Sequence, residues 1–222
     1  ETADLVALSV TQVSGLDTSF VQALTSDQVT SLTANQLKAL SGDQLNAVDT
    51  ADLAAIATDK IVSLTATQIG ELSTTQLNAL STDQIQALTA SQVKGLTTVQ
   101  MDSISTASVK ALTTAQMDAL LATQLNALDS SQISAMETAD LAAIDVYQVA
   151  SLSTGFVDAL STTQVAALTS AQVGKLTSDQ FAKLDTADIK ALTTEQMATV
   201  TATQVNALSA TQIQALETAD LQ

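Results

Sequence analysis

Apolar residues fall at the fifth and eighth places of every eight-residue block counted from Glu1: Leu5 and Leu8, Val13 and Leu16, Val21 and Leu24, on to Ile213 and Leu216. The frame runs without insertion or deletion through 27 octads and six further residues. The first place is nearly always Ser, Thr or Asp, the fourth is usually Gln, and the seventh is mostly Ala or another small residue. Thr33-Ala34-Asn35-Gln36-Leu37-Lys38-Ala39-Leu40 is a representative copy of this [ST]-x-x-Q-[VIL]-x-A-L motif. Internal repetition at a fixed period is the mark of solenoids and arrays.

The motif reads as a helix start, made again in each octad. Ser or Thr followed three residues later by Gln is a capping box, in which the hydroxyl accepts from a first-turn N–H and the Gln side chain reaches back to the cap's own N–H. The Leu before the cap and the aliphatic residue after the Gln form a hydrophobic staple, and Leu40-Ser41-Gly42-Asp43-Gln44-Leu45 contains every element of both. A continuous helix does not fit, because at about 100° per residue an octad overshoots two turns by about 80° and the apolar stripe would spiral away. A strand does not fit either, since places five and eight point to opposite faces of a sheet. The prediction is therefore all-α: an α-solenoid or superhelix of very short capped helices, one per octad. Only six Gly and no Pro occur, so the helices cannot rely on left-handed Gly to end, and the joint between octads is predicted to be extended.

One octad cannot fold by itself. Burying two aliphatic side chains contributes on the order of 3–6 kcal/mol and a cap about 1, while ordering eight residues costs roughly 1–2 kcal/mol each. Stability must come from stacking, with places five and eight lining a core and the second, third and sixth places facing water or the next layer. The number of octads per superhelical turn is not readable from the pattern. A longer repeat overlies the short one: Glu1-Thr2-Ala3-Asp4-Leu5 returns at Glu137–Leu141, and Asp49-Thr50-Ala51-Asp52 returns at Asp185–Asp188, each seventeen octads on. Residues 1–222 are read as a single continuous array, one full long unit over 1–136 and part of a second over 137–222. The chain opens on Glu1 without Met, and Glu217–Leu221 repeats its first five residues in frame. A segment of a longer array, with no distinct capping octad, is the expectation.

Composition narrows the chemistry. The chain carries 23 acidic residues against seven Lys, a net charge of −16, and has no Arg, His, Cys, Pro or Trp. No thiolate or imidazole ligand, no disulfide and no guanidinium clamp can be built from it, and no pair of acids stands out for acid–base work. An enzyme is not expected. The acidity disfavours nucleic acid and anionic membranes as partners, and no apolar run approaches the roughly 18–20 residues needed to span a bilayer.

Five octads carry two acids three apart: Glu1/Asp4, Asp49/Asp52, Glu137/Asp140, Asp185/Asp188 and Glu217/Asp220. Carboxylates are the ligands that Ca²⁺ takes, so these ten residues are its candidate ligands and Ca²⁺ the one candidate cofactor. The competing reading is that acids in a first helical turn favour the dipole and that Asp caps helices. Phe20 and Phe156 replace Gln at the fourth place in corresponding octads, as a lateral contact or a local filler. The Thr-rich stretches Thr65–Thr67 and Thr201–Thr203 are explained by capping; ordering of water on a Thr array would require strands.

The runs Leu72-Ser-Thr-Thr-Gln-Leu-Asn-Ala-Leu80 and Leu160-Ser-Thr-Thr-Gln-Val-Ala-Ala-Leu168 resemble the octapeptide-repeat regions of large, acidic, Cys-free bacterial surface proteins. The resemblance covers the whole chain and lies in repeat style and composition. It implies a structural module, a rod or fibre segment of a cell-surface or extracellular filament or adhesin, with self-association or a longer array as partner. The glycine- and aspartate-rich nonapeptides that often accompany one-step export are missing here. A binding solenoid that recognises a protein or glycan, with or without Ca²⁺, is the second reading.

Overall fold

The computed structural model describes residues 1–219. Among them it shows 27 short helices, one in each octad, and no strand. A full octad helix is six residues, such as Ala34–Ala39, Gly42–Ala47 and Thr162–Ala167. The predicted capping box is there in most of them. Thr33 Oγ1 accepts from the Gln36 N–H at 3.3 Å, and Gln36 Oε1 accepts from the Thr33 N–H at 3.0 Å.

The six-residue helices stop where the eighth-place residue turns extended, while shorter ones end earlier, on C-caps such as Val62 and Asn126 that are still right-handed helical. Leu40 sits at φ −68°, ψ 140° and Val48 at φ −65°, ψ 136°, while no described residue has a positive φ. The helices therefore end without a left-handed residue, as the scarcity of Gly implies. The extended residue points its own side chain into the core and hands the chain directly to the next cap.

The chain forms two compact units, Glu1–Leu112 and a second that begins at Thr113. The division falls inside the unbroken octad frame. In each unit a helix packs against the helix three octads on: Val10–Ser14 on Ala34–Ala39 and Thr82–Ala87 on Thr106–Ala111 in the first, Thr138–Ala143 on Thr162–Ala167 in the second. Side chains at places five and eight form the core, from Leu37, Leu40, Leu45 and Val48 to Val173, Leu176, Phe181 and Leu184. In each unit it is about two aliphatic side chains per octad thick, as the aromatic-poor composition requires.

Turns approach each other closely at Gly70 and Gly95. A Cβ added at Gly95 would lie 2.4 Å from the Ala66 carbonyl oxygen and 3.0 Å from the Ala66 Cβ, and one at Gly70 would lie 2.5 Å from the Gly95 carbonyl oxygen. Gly95 occupies the seventh place, where most octads carry Ala. Gly95→Ala is nevertheless expected to destabilise the first unit by about 1–2 kcal/mol, because backbone on the facing turn must move; a urea melt of the variant checks it.

Candidate functional site

The joint between turns holds the most concentrated polar chemistry of this chain, and the fourth-place Gln makes it. Gln84 is 1% exposed. Its Oε1 accepts from the Ser81 N–H at 2.8 Å, and its Nε2 donates to the carbonyls of Leu53 at 3.0 Å and Ile56 at 2.7 Å. Those carbonyls belong to places five and eight of the octad four earlier. Gln36 repeats the pattern on Leu5 and Leu8, Gln68 on Leu37 and Leu40, Gln172 on Leu141 and Ile144, and Gln204 on Val173 and Leu176.

This arrangement answers a general difficulty of short helices. A six-residue helix leaves more backbone groups without an intrahelical partner than it pairs inside. Most fourth-place Gln accept from the N–H of their own cap and donate to carbonyls near another helix's end, so one side chain serves groups at both helix ends; Gln148 differs, its Oε1 being buried without a partner. The amide has one orientation that fits, with oxygen toward the N–H and nitrogen toward the carbonyls. Helices pack three octads apart and hydrogen-bond four octads apart, which places the superhelical turn of each unit between three and four octads.

Departures from Gln at this place are instructive. Lys60 keeps the donor role, its Nζ lying 2.6 Å from the Thr30 carbonyl. Ser108 and Phe156 cannot reach back to the cap N–H, and in both cases an Asn at the sixth place, 27 residues before the cap, takes over. Asn78 Oδ1 accepts from the Ser105 N–H at 2.8 Å and its Nδ2 donates to the Ser103 carbonyl at 2.7 Å. Asn126 does the same with the Ser153 N–H at 2.6 Å and the Ser151 carbonyl at 2.9 Å. A third sixth-place Asn, Asn46, clasps Ser73 and Glu71 in this way, and there Gln76 turns its Nε2 to the Asn46 carbonyl at 2.7 Å. The sequence signal for this clasp was the pairing of Asn78 with Ser108 and of Asn126 with Phe156, a separation of nearly four octads that no local motif suggests.

The acidic pairs are distributed along the stack. Asp49 caps its helix through the Ala51 N–H at 2.8 Å, and its partner Asp52 is buried and accepts from the Ser26 hydroxyl. Asp185 accepts from the Ala187 and Asp188 N–H groups at 2.7 and 2.8 Å, and Asp188 accepts from the Asp185 N–H at 3.0 Å, so this pair is a capping box with Asp in the role of Gln. Glu1 and Asp4 are exposed, with the N-terminal ammonium 3.3 Å from Asp4. Glu137 is exposed and makes no side-chain cap, while Asp140 is buried. Among the described residues the two pairs of each unit stand six octads apart, whereas stacking brings together octads three or four apart, so the fold does not bring one of these described pairs onto another. Among the described residues no group of three or more acids gathers at one point. The Glu217 side chain and Asp220 lie outside the described residues.

Burial is the main cause that pushes the Asp140 carboxyl above its ordinary value of 3.8, with the Glu137 charge adding to it. Asp188 is also raised, first by burial and then by the Asp185 charge, against the lowering effect of the Asp185 N–H and the Thr162 hydroxyl. A carboxylate occupies the place where the stack otherwise supplies an amide donor.

The surface recesses are lined by stacking residues. One is bordered by Ser41, Gly42, Asp43, Asn46 and Glu71, and another by Glu1, Asp4, Leu5, Leu8, Phe20 and Gln28. Among the described residues no helix is long and apolar enough to cross a membrane.

The family described as the ALTTAQ repeat matches residues 1–34, 46–82, 67–98, 133–170, 157–186 and 181–218, which together make up most of the chain. The chain belongs to the ALTTAQ repeat family. The six letters occur as written at Ala111-Leu112-Thr113-Thr114-Ala115-Gln116. In ALTTAQ octads they run from the seventh place across the joint to the fourth, so they contain the core Leu, the cap and the Gln of the inter-turn ladder. No curated protein compared with the chain matches it.

One ALTTAQ octad breaks its own cap. Leu121 stands at the first place, exposed, and receives no help from a hydroxyl, although its N–H still donates to Gln124 Oε1 at 2.8 Å. Leu121→Thr is expected to stabilise the second unit by about 1 kcal/mol through the restored cap, read as a rise in the thermal midpoint.

Proposed function

We propose that this chain is a structural repeat module, a segment of a rod or superhelical fibre in a bacterial cell-surface or extracellular filament or adhesin. One observation carries this reading: buried polar side chains are engaged, octad after octad, in joining one turn to the next. An array built this way gains stability with each octad added and needs no special residue anywhere, which suits a spacer or fibre. The absence of Cys and the acidic, Ser- and Thr-rich surface suit a place outside the cell. Net charge −16 gives such modules a solvated surface that keeps neighbours apart until salt screens them. The reading includes no catalysis and no cofactor.

Electron microscopy of chains with increasing numbers of octads tests it. Extended particles whose length grows in step with octad number are expected. Compact particles of constant diameter would end the proposal.

A further inference from the structure

A recess of about 510 Å³ in the first unit is bordered by Thr18 and Gln22, by residues 46–50 and by Gln76. Sixth-place Asn side chains face the octads that follow: Asn46 reaches Glu71 and Ser73, and Asn78 reaches Ser103 and Ser105. The same offsets from Gln22, also at the sixth place, lead to Ala47 and Asp49, which border the recess. The recess therefore lies between turns that are both present, on the side of Gln22 turned toward later octads.

Two acceptors there lack the donors that other octads supply. Gln84 shows the usual arrangement, with Oε1 on its cap N–H and Nε2 on the eighth-place carbonyl of Ile56. At Gln76 the cap N–H of Ser73 is already held by Asn46 Oδ1 at 2.6 Å, and Nε2 is turned to the Asn46 carbonyl. Gln76 is only 8% exposed, yet its Oε1 has no donor among the described residues. The eighth-place carbonyl that Gln76 would otherwise meet belongs to Val48, and it too has no donor there. Asp49, the next residue, engages one carboxylate oxygen with the Ala51 N–H and leaves the other free.

The counterpart seventeen octads on has none of this. Asn46 is replaced there by Ala182, and Gln212 takes the usual arrangement, with Oε1 on the Ser209 N–H at 2.8 Å and Nε2 on the Leu184 carbonyl at 2.6 Å. The free acceptors are thus a product of Asn46 and Gln76 occurring together, two amides for one cap N–H.

We infer that this recess binds a saccharide. Its volume falls in the range of small-molecule sites. Three acceptors, the Gln76 Oε1, the Val48 carbonyl and the Asp49 carboxylate, call for a ligand that donates at several neighbouring points. The Gln22 amide and the Thr18 and Thr50 hydroxyls call for one that also accepts. An apolar ligand would leave these groups unpaired, an anion would meet Asp49, and a bare cation would have no use for the Gln22 N–H groups. Adjacent hydroxyls of a sugar ring donate and accept at once, as water does. This goes beyond the structural reading above, which neither requires nor excludes a ligand.

An array of immobilised mono- to tetrasaccharides, read at equilibrium with the 222-residue chain in EDTA, tests this. Retention on at least one saccharide is expected, and titration of that saccharide should shift the side-chain amide signals of Gln22 and Gln76. Asn46→Ala recreates the counterpart arrangement, freeing the Ser73 N–H for Gln76 Oε1, and should weaken binding at least tenfold with the helical circular dichroism spectrum kept. Gln22→Ala, which removes an exposed side chain, should weaken it at least fivefold with an unchanged melt. Thr154→Ala, at the exposed counterpart of Thr18, should bind as the parent chain does. No retention on any saccharide, retention only when calcium replaces EDTA, undiminished binding by Asn46→Ala, or an equal loss in Thr154→Ala would overturn the inference. Extended particles that retain no saccharide would leave the structural reading standing while this inference falls.

Discussion

Replacing Gln84 by Met is expected to destabilise the first unit by about 3–5 kcal/mol, although the side chains are similar in size and both suit a helix. The change removes the acceptor for the Ser81 N–H and the donor for the Leu53 and Ile56 carbonyls. Each lost hydrogen bond is worth about 0.5–1.5 kcal/mol, and a polar group left buried without a partner costs about 1–3 kcal/mol. A hydrophobic replacement recovers part of this through packing, which is why the range stops near 5. Gln12 has the same local sequence role, with Oε1 on the Ser9 N–H at 2.9 Å, but is exposed. Gln12→Met is therefore expected to change stability by no more than about 1 kcal/mol, the share of the local cap. Urea melts followed by circular dichroism compare the two. Equal losses at both positions would mean that the inter-turn bonds contribute nothing and that capping accounts for all of the Gln.

Asp188→Gln should work in the opposite direction, raising stability at neutral pH by about 2 kcal/mol. Gln preserves the bond from the Asp185 N–H, removes a buried charge beside Asp185, and supplies the Nε2 that other octads direct at the carbonyls four octads back. The sign of the pH dependence follows from the raised Asp188 carboxyl. The folded chain holds this proton more tightly than the unfolded one, so protonation favours folding. The disadvantage of Asp is then fully present above the raised folded value, shrinks as the pH falls through it, and is gone below the unfolded value of 3.8. The gap in midpoint between Asp188→Gln and the parent chain should narrow accordingly on acidification. Measuring the gap, rather than the parent alone, cancels the common effect of titrating the other acids. A gap that is constant with pH, or that widens toward acid, would show that the carboxylate is not opposed by its surroundings.

Much of this molecule was legible before any coordinates. Thr33 and Gln36 declare a cap, Leu37 and Leu40 declare the core, and the lack of left-handed residues follows from six scattered Gly in a chain with no Pro. The acidic pairs were legible in both senses, and the hydrogen bonds of Asp49 and of the Asp185/Asp188 pair are those of caps. Phe156 acts as the filler that its position allowed, while Phe20, at the same place of the corresponding octad, lies exposed. The octad frame treats the two alike; the difference is whether another turn lies over them.

That contrast marks the boundary between the two sources of information. Capping, stapling and the period of eight act over a few residues of one chain segment, where backbone geometry links position to partner directly, so the amino-acid order sufficed for them. The pitch of between three and four octads, the second role of Gln on the carbonyls of the octad four earlier, and the substitution of Asn126 for a missing Gln depend on how much each extended joint rotates one helix against the next. That rotation is the sum of small angles at every eighth residue, constrained by close approaches such as Gly95 on Ala66, and no single octad encodes it. Only the packed turns decide it, because only there do the orphan carbonyls of one helix meet the amide of another.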